Sequence, residues 1–418
     1  YTKVLMSEAY EKLLKKTMRK YVAEKSKRAD NRDFDEVREM AAEVDLLPRV
    51  HGSALFTRGV TQVLSIATLG TLKDAKLVDD MLGEKEKRYM HYYNDLPFAY
   101  GDADRVRLSP SRRAIGHGML AEKALIPVIP SVDDFPYTIL VMSEIQGENG
   151  SSSMASACGS TLALMAAGVP IRKMVGGIAC GLVNEDDGKF HILSDMQGVE
   201  DFYGDMDFKV TGTRDGITAV QMDNKMSGLT MEIVKETFAK SKVARMKVID
   251  TMEEAIKESR SELSKFAPKV VRAHIPVEKI GELIGPGGKN IRELTEDTGA
   301  EITVEEDGAV NIYAMNQESI DMALKYIKGL SFVPEVGQVY EGKVATIMEY
   351  GAFVDIAPGI SGLVHVSEIT DEFVKDVRKF LKEGDIIKVK LVSKERDGKL
   401  KLSIKQVEDK PKEDVVKE

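Results

Sequence analysis

Cysteine is scarce: the 418 residues hold only Cys158 and Cys180. Neither belongs to a CxxC pair and both lie among small apolar residues, which excludes a disulfide framework and leaves two buried free thiols in a reducing compartment as the expectation. No apolar run approaches the roughly 20 residues of a bilayer span, and the start, YTKVLMSEAYEKLLKKTMRKY, reads as a charged amphipathic helix unlike a secretory signal. A cytoplasmic location is expected. An excess of positive charge is missing too, since 59 Lys and Arg against 68 Asp and Glu leave a net charge of -9. That excludes coating of nucleic acid by bulk attraction, so any such contact must come from local basic patches. The chain opens on Tyr1 rather than Met, and is expected to be a fragment.

What is there is the composition of a soluble globular protein long enough for two to four domains. Val4, Leu5, Tyr10, Leu13 and Leu14 space a first helix. SALFTRGVTQVLSIATLG and GITAVQMDNKMSG have strand character, and MEIVKETFAKSKVARMKVIDTMEEAIKE is a long helix, together an α+β or α/β domain. KFAPKVVRAHIP reads as a linker. About sixty residues then give strand, helix, Gly-rich turn, helix, two strands and helix. Short alternating strands with turn glycines follow, a five-stranded barrel by count. The end, EDKPKEDVVKE, is polar and expected to be disordered.

In the sixty-residue module, IGELIGPGGKNIREL breaks one helix at Gly285, Pro286, Gly287 and Gly288 and starts another at Lys289. Backbone can there approach a sugar-phosphate chain without side-chain clash, with Lys289 and Arg292 beside it. The module resembles a KH domain, whose GxxG loop clamps single-stranded nucleic acid. In the barrel, Tyr350, Phe353 and His365 are placed for base stacking, with Lys399 and Lys401 beside them and Gly351, Gly359 and Gly362 setting the turns. This pattern is similar to the OB-fold RNA-binding module named after the largest protein of the small ribosomal subunit.

Three stretches of the larger domain carry charge or hydroxyls at helix ends. SPSRRAIGHG sets Arg112, Arg113 and His117 at a helix entrance suited to an anion, although adjacent arginines also suit a solvated surface. ENGSSSMASACGS sets Ser151, Ser152 and Ser153 at a second helix N-terminus, where hydroxyls and N–H groups converge; the plain alternative is one N-cap and two spectators. GVEDFYGDMDFKV holds Asp201, Asp205, Asp207 and Lys209, of which the last three share strand parity, so that carboxylates gather as Mg²⁺ or Mn²⁺ requires; an acidic turn without metal fits equally.

The succession HGSALFTRGVTQ, SPSRRAIGHG, NGSSSMASACGSTLALMAAGVP, SDMQGVEDFYGDMDFKV, KH module and barrel resembles the polynucleotide phosphorylases over nearly the whole chain. The resemblance implies a multidomain α+β protein. Residues 1–27 would end a helical linker domain, 28–263 form the second RNase PH-type core (ribosomal protein S5 domain 2-like), 264–330 the KH domain, 335–407 the OB barrel and 408–418 a disordered tail. It implies that Ser151, Ser152, Ser153, Arg112, Arg113 and His117 hold inorganic phosphate, and that Asp201, Asp207 and Lys209 form the site of Mg²⁺, with Mn²⁺ able to substitute. Asp205 is left as general acid or as a group ordering the metal's waters.

The implied activity is 3'-to-5' phosphorolysis of single-stranded RNA to nucleoside diphosphates, reversible as polymerisation, in mRNA turnover. Implied partners are a homotrimer of full-length chains and an RNA-decay complex with an endoribonuclease or helicase. The rivals are a non-catalytic RNA-binding scaffold subunit and hydrolysis by water. Two departures stand out: Val60 replaces an acid after FTRG, and YYNDLPFAYGDADRVR differs from the family's Pro- and Gly-rich loop.

Overall fold

A computed structural model describes residues 2–81, 83–105, 109–185, 187–331, 334–357, 360–370, 377–394 and 399–408. Gly359 of the barrel spacing, Val106 and Arg107 of the divergent loop, and the expected tail from 409 onward lie outside the described residues. The chain divides into two compact units, one ending at Pro268 and the other beginning at Lys269. No helix among the described residues is long and apolar enough to cross a membrane.

The first unit opens with α1 (Lys3–Lys25), capped by the Thr2 hydroxyl. Only its later turns are anchored, through Met18 and Val22 against Val183 and Leu193, while Val4, Leu5, Tyr10 and Leu13 are exposed. The elements that follow are β1 (Met40–Val44), β2 (Gly52–Arg58), β3 (Thr61–Gly70), β4 (Lys76–Asp80), β5 (Gly83–Lys87), β6 (Tyr89–Asn94), α2 (Arg112–Leu125), β7 (Thr138–Gly147) and α3 (Ser152–Ala166). After them come β8 (Gly176–Asn184), β9 (Phe190–Ser194), α4 (Gly198–Tyr203), β10 (Met206–Gly212), β11 (Ile217–Asn224) and α5 (Met231–Ala255). One sheet has the order β1-β2-β3-β7-β6, parallel only at β6–β7, and the other is the antiparallel β11-β10-β8-β9.

α3 packs on β2 and β3 of the first sheet and on β8 of the second, and all fifteen of its residues are buried. A helix buried on every side belongs between layers, and its small residues let the layers close on it. A Cβ on Gly159 would lie 2.7 Å from Ser65 Oγ, and one on Gly52 would lie 2.3 Å from the Ala163 carbonyl oxygen, so neither position admits a side chain. The N-terminus of α3 is thereby held at one fixed depth in the domain.

In the second unit, β12 (Lys269–His274), α6 (Ile280–Ile284), α7 (Lys289–Thr298), β13 (Glu301–Val304), β14 (Ala309–Ala314) and α8 (Gln317–Ser331) follow the order read from the sequence, with sheet order β12-β14-β13. Half of the segment read as a linker is therefore strand: KVVRAH pairs antiparallel with β14, and Ala267 and Ile275 on either side are buried. Two adjacent β-branched residues outweighed the linker signal of the nearby prolines. β15 (Val339–Met348), β16 (Gly351–Ala357), β17 (Ile360–His365), β18 (Ile386–Lys394) and β19 (Leu400–Ser403) close the five-stranded barrel expected, in the order β15-β16-β17-β19-β18.

A polar cluster is buried where β6, β7, β3 and α3 meet. His91 Nε2 lies 3.1 Å from Ser143 Oγ and 3.0 Å from Ser160 Oγ, and Ser143 Oγ lies 2.9 Å from Ser65 Oγ. Burial lowers the His91 pKa to about 4, so the ring is neutral near pH 7. A histidine with a depressed folded pKa gives stability that is complete above its unfolded pKa of about 6.5 and is lost as pH falls through the folded value. Denaturation followed from pH 7.5 to 4 should show the first unit losing about 3 kcal/mol of stability below pH 6.5, and His91→Asn should flatten that slope. An equal slope in the variant would place the acid sensitivity elsewhere.

Candidate functional site

The serine run lies at the buried N-terminus of α3. Ser151 precedes the helix in a left-handed conformation (φ 53) and makes no side-chain capping bond, which removes the plain reading of one serine as the cap. The Oγ atoms of Ser151 and Ser153 are buried with no partner, while Ser152 Oγ lies 2.7 Å from the Tyr93 hydroxyl. The first N–H groups of a helix have no intrahelical acceptor, so donors and hydroxyls collect at one point.

α2 brings the second set. Ser111 caps it through Ala114 N–H, which fixes Arg112 and Arg113 in the first turn and His117 one turn on. Arg112 is exposed. Arg113 donates to Glu148 Oε1 at 2.8 Å and to the Tyr100 hydroxyl at 3.2 Å, with its guanidinium 5.8 Å from the Tyr100 ring centre. His117 is buried, meets the Tyr93 ring edge-on at 5.1 Å, and has no partner for Nδ1. Burial first, then the charges of Lys209 and Arg113, lower its pKa to about 3, so it is a neutral hydrogen-bonding group.

β10 supplies the third set. Asp207 Oδ2 pairs with Lys209 Nζ at 2.7 Å and Asp207 Oδ1 is buried without a partner. Burial raises the Asp207 pKa to about 6 against the pull of Lys209, and Asp201 and Asp223 push the same way. Asp201 stands on α4, close enough to act on Asp207 by its charge. Two neighbouring carboxylates, one with an orphaned oxygen, fit a small divalent cation that takes its remaining ligands from water and substrate phosphate. Among the described residues no group of three or more His, Cys, Asp or Glu side chains is assembled. Asp205 is occupied differently from its sequence neighbours: Oδ1 accepts from Arg19 Nη1 at 2.8 Å and Oδ2 from the Asn184 N–H at 2.8 Å.

Behind the serine loop lies a buried ion-pair network that sequence reasoning missed. Arg58 Nη2 donates to the carbonyls of Gly150 and Ser151 at 3.0 Å each, and Arg38 Nη1 to that of Asn149 at 2.5 Å. Asp195 holds both arginines, at 2.8 Å from Arg38 Nη2 and 2.8 Å from Arg58 Nε. Burial alone would raise the Asp195 pKa, but Arg58 and Arg38 overcome it and hold the carboxyl well below its usual range. Arg28 extends the network to α4, pairing with Glu200 next to Asp201 and donating to the Asp195 carbonyl at 2.8 Å. The carbonyls of 149–151 are thereby held where the loop meets the start of α3.

Tyr93 and Glu148 were also missed; no local motif marks either, because each acts through a residue distant in sequence. The divergent loop contributes Tyr100, which reaches Arg113, and Val60 is exposed in the β2–β3 turn.

In the second unit Gly285, Gly287 and Gly288 all have positive φ (71, 59 and 79), and a Cβ on Gly285 would strike the Asn290 side chain at 2.5 Å. Lys289 and Arg292 are exposed on α7 beside this turn. On the barrel, Ala352, Val354 and Ile356 enter the core, which turns Phe353 outward and half-buried. Tyr350 is exposed, and His365 is exposed with Nδ1 2.8 Å from Ser367 Oγ. Lys399 and Lys401 flank and enter β19.

Comparison with known proteins agrees with this layout. Residues 36–170 match the 3' exoribonuclease family, domain 1 (RNase PH), residues 270–329 the KH domain and residues 333–405 the S1 RNA binding domain. The chain thus carries an RNase PH-type 3' exoribonuclease domain followed by KH and S1 domains. It is homologous over almost its whole length to polyribonucleotide nucleotidyltransferases: 50% identical over 405 residues to that of Caldicellulosiruptor bescii, covering 97% of this chain and 58% of that protein. With that of Finegoldia magna it shares 50% identity over 406 residues, covering 97% of this chain and 57% of that protein. The chain thus spans a little over half the length of these curated relatives. Among solved structures, a chain of the Archaeoglobus fulgidus exosome with RNA bound to the active site aligns at 18% identity and a TM-score of 0.44, covering 57% of this chain and 98% of that chain.

The Asp195 network makes a direct prediction. Asp195→Asn leaves Arg38 and Arg58 buried without their anion, and urea denaturation should show a loss of about 3–5 kcal/mol. A loss under about 1 kcal/mol would mean that the arginines are not held by this charge.

Proposed function

We propose that the chain is the catalytic portion of a 3'-to-5' phosphorolytic exoribonuclease that degrades single-stranded RNA with inorganic phosphate, releases nucleoside diphosphates, and runs in reverse as a polymerase. The observation that carries this reading is the set of buried, unpartnered polar atoms on elements packed together: Ser151 Oγ and Ser153 Oγ at the start of α3, His117 Nδ1 on α2, and Asp207 Oδ1 on β10. Buried polar groups left unpaired are costly unless a ligand completes them. Hydroxyls, N–H groups, a neutral imidazole and a guanidinium suit a phosphate. A water nucleophile needs no such cradle.

In this reading Ser151, Ser152, Ser153, Arg112, Arg113 and His117 hold the attacking phosphate. One of its oxygens attacks the terminal phosphodiester phosphorus in line, the P–O3' bond breaks, and its electrons pass to the 3' oxygen of the shortened chain. Arg113, the helix N-terminus and Lys209 offset the repulsion between two anions and hold them in line. Asp201 and Asp207 hold Mg²⁺, or Mn²⁺ in its place, with Lys209 steadying Asp207; when bound, the cation supplies charge neutralisation for the phosphoryl oxygens. Asp205, with both oxygens engaged, fits a role in fixing the Asp207 strand through Arg19 better than that of an acid.

The KH turn (Gly285, Gly288, Lys289, Arg292) and the barrel face (Tyr350, Phe353, His365) supply the grip on RNA. The domain limits that go with this reading are 28–263 for the core, 264–330 for KH and 335–407 for the barrel. A cytoplasmic homotrimer of full-length chains, working within an RNA-decay complex, is the assembly it implies.

The test is digestion of a labelled oligoribonucleotide with and without phosphate. Nucleoside diphosphates should form only when phosphate is present, and Asp201→Asn or Asp207→Asn should lower the rate at least a hundredfold while leaving RNA affinity within about twofold. Monophosphate products would establish hydrolysis, and RNA binding without any turnover would leave the scaffold reading.

A further inference from the structure

Glu148 has no part in the reaction above, yet its carboxylate is paired with Arg113, one of the proposed phosphate ligands. Its side chain is 5% exposed; Oε1 accepts from Arg113 Nη2 at 2.8 Å, and Oε2 is buried with no partner. Its N–H donates to the Ala99 carbonyl at 2.9 Å, which ties it to the 97–100 turn. The Tyr100 hydroxyl lies between the Asp95 and Glu148 carboxylates, but its single proton goes to Asp95 Oδ2 at 2.5 Å. Tyr93, whose hydroxyl meets Ser152 Oγ, feels the Glu148 charge as well.

A half-satisfied buried carboxylate is costly, and beside an anion site it also repels the ligand. It becomes favourable when the ligand brings a proton for it. Inorganic phosphate near neutral pH always carries at least one P–OH group. Sulfate has the same shape and size and carries none.

We propose that Glu148 is a specificity-determining residue whose Oε2 accepts the P–OH proton of bound phosphate, so that the site takes protonated tetrahedral oxyanions and rejects sulfate. This rests on the phosphate-using reading of the serine site. Arg113 keeps donors for the anion while bound to Glu148, because a guanidinium has five N–H groups. Sulfate in the same place sets an acceptor against a buried acceptor, and sites built around a ligand's O–H reject analogues that lack it by large factors.

Isothermal titration of the 418-residue protein with phosphate, arsenate and sulfate tests this. Wild type should bind phosphate and arsenate within about threefold of each other and sulfate at least about tenfold more weakly. In Glu148→Gln the side-chain amide turns an N–H toward the ligand, and the preference for phosphate over sulfate should fall at least about tenfold. Wild type binding sulfate as well as phosphate, or an unchanged preference in the variant, overturns the proposal. Should the variant fail to fold, the wild-type comparison alone decides. Wild type binding none of the three anions overturns the phosphate site itself, and the proposal with it, which separates that failure from a site that binds phosphate without discriminating.

Discussion

One carboxylate, that of Asp195, sets the geometry on which the rest of the site depends. It sits in a left-handed turn after β9 and is fully buried. Four hydrogen bonds from Arg38 and Arg32, together with the pairing to Arg58, would be an expensive way to stabilise a fold, because hydrophobic residues fill such space at lower desolvation cost. What the arrangement provides is position. Arg38 and Arg58 reach the carbonyls of 149–151, and Arg28 with Glu200 reaches α4, so a single network sets the serine loop and the helix that carries Asp201. Ser151 keeps its left-handed backbone because both of its flanks are held.

The same network bears on electrostatics. Four buried guanidiniums, Arg28, Arg32, Arg38 and Arg58, face the buried carboxylates of Asp195 and Glu200 and the partly exposed one of Asp30, which pairs with Arg32 at 2.6 Å, so one positive charge is left in excess behind the loop. In a poorly solvated interior that excess would favour an anion at the α3 N-terminus, where the helix dipole has the same sign. Burial keeps His117 neutral in front, so it can give a hydrogen bond without a second cation crowding Arg113 and Lys209. Asp207 is pulled the other way by the same burial, toward its protonated form, and a bound cation would restore its charge.

Much of this was legible in the sequence. The helix after the serines, the β2–β3 strands, the KH order and the five-stranded barrel each follow from a periodicity or a glycine turn that local physics dictates. The spacing of Arg113 and His117 along α2, and of Asp207 and Lys209 along β10, is carried by the sequence, but the approach of the two elements to each other is not. Neither are the Asp195 network and the contacts of Tyr93 and Glu148: Arg38 and Asp195 are 157 residues apart, and nothing near either one records the other. Asp205 shows the limit of parity. It keeps the period of Asp207 and Lys209 but precedes β10, and Arg19, from a helix far away in sequence, takes its carboxylate. The linker reading at 265–276 failed because prolines were weighed above the pairing capacity of KVVRAH.

In the proposed function, phosphate completes the unpartnered atoms at the α3 N-terminus. A crystal structure of the 418-residue chain grown with inorganic phosphate tests it most directly. The account predicts phosphate within hydrogen-bond distance of the Ser152 and Ser153 N–H groups and hydroxyls and of the Arg113 guanidinium. An ordered serine loop with water alone in that place, or phosphate bound only on the exposed lysines, would contradict it.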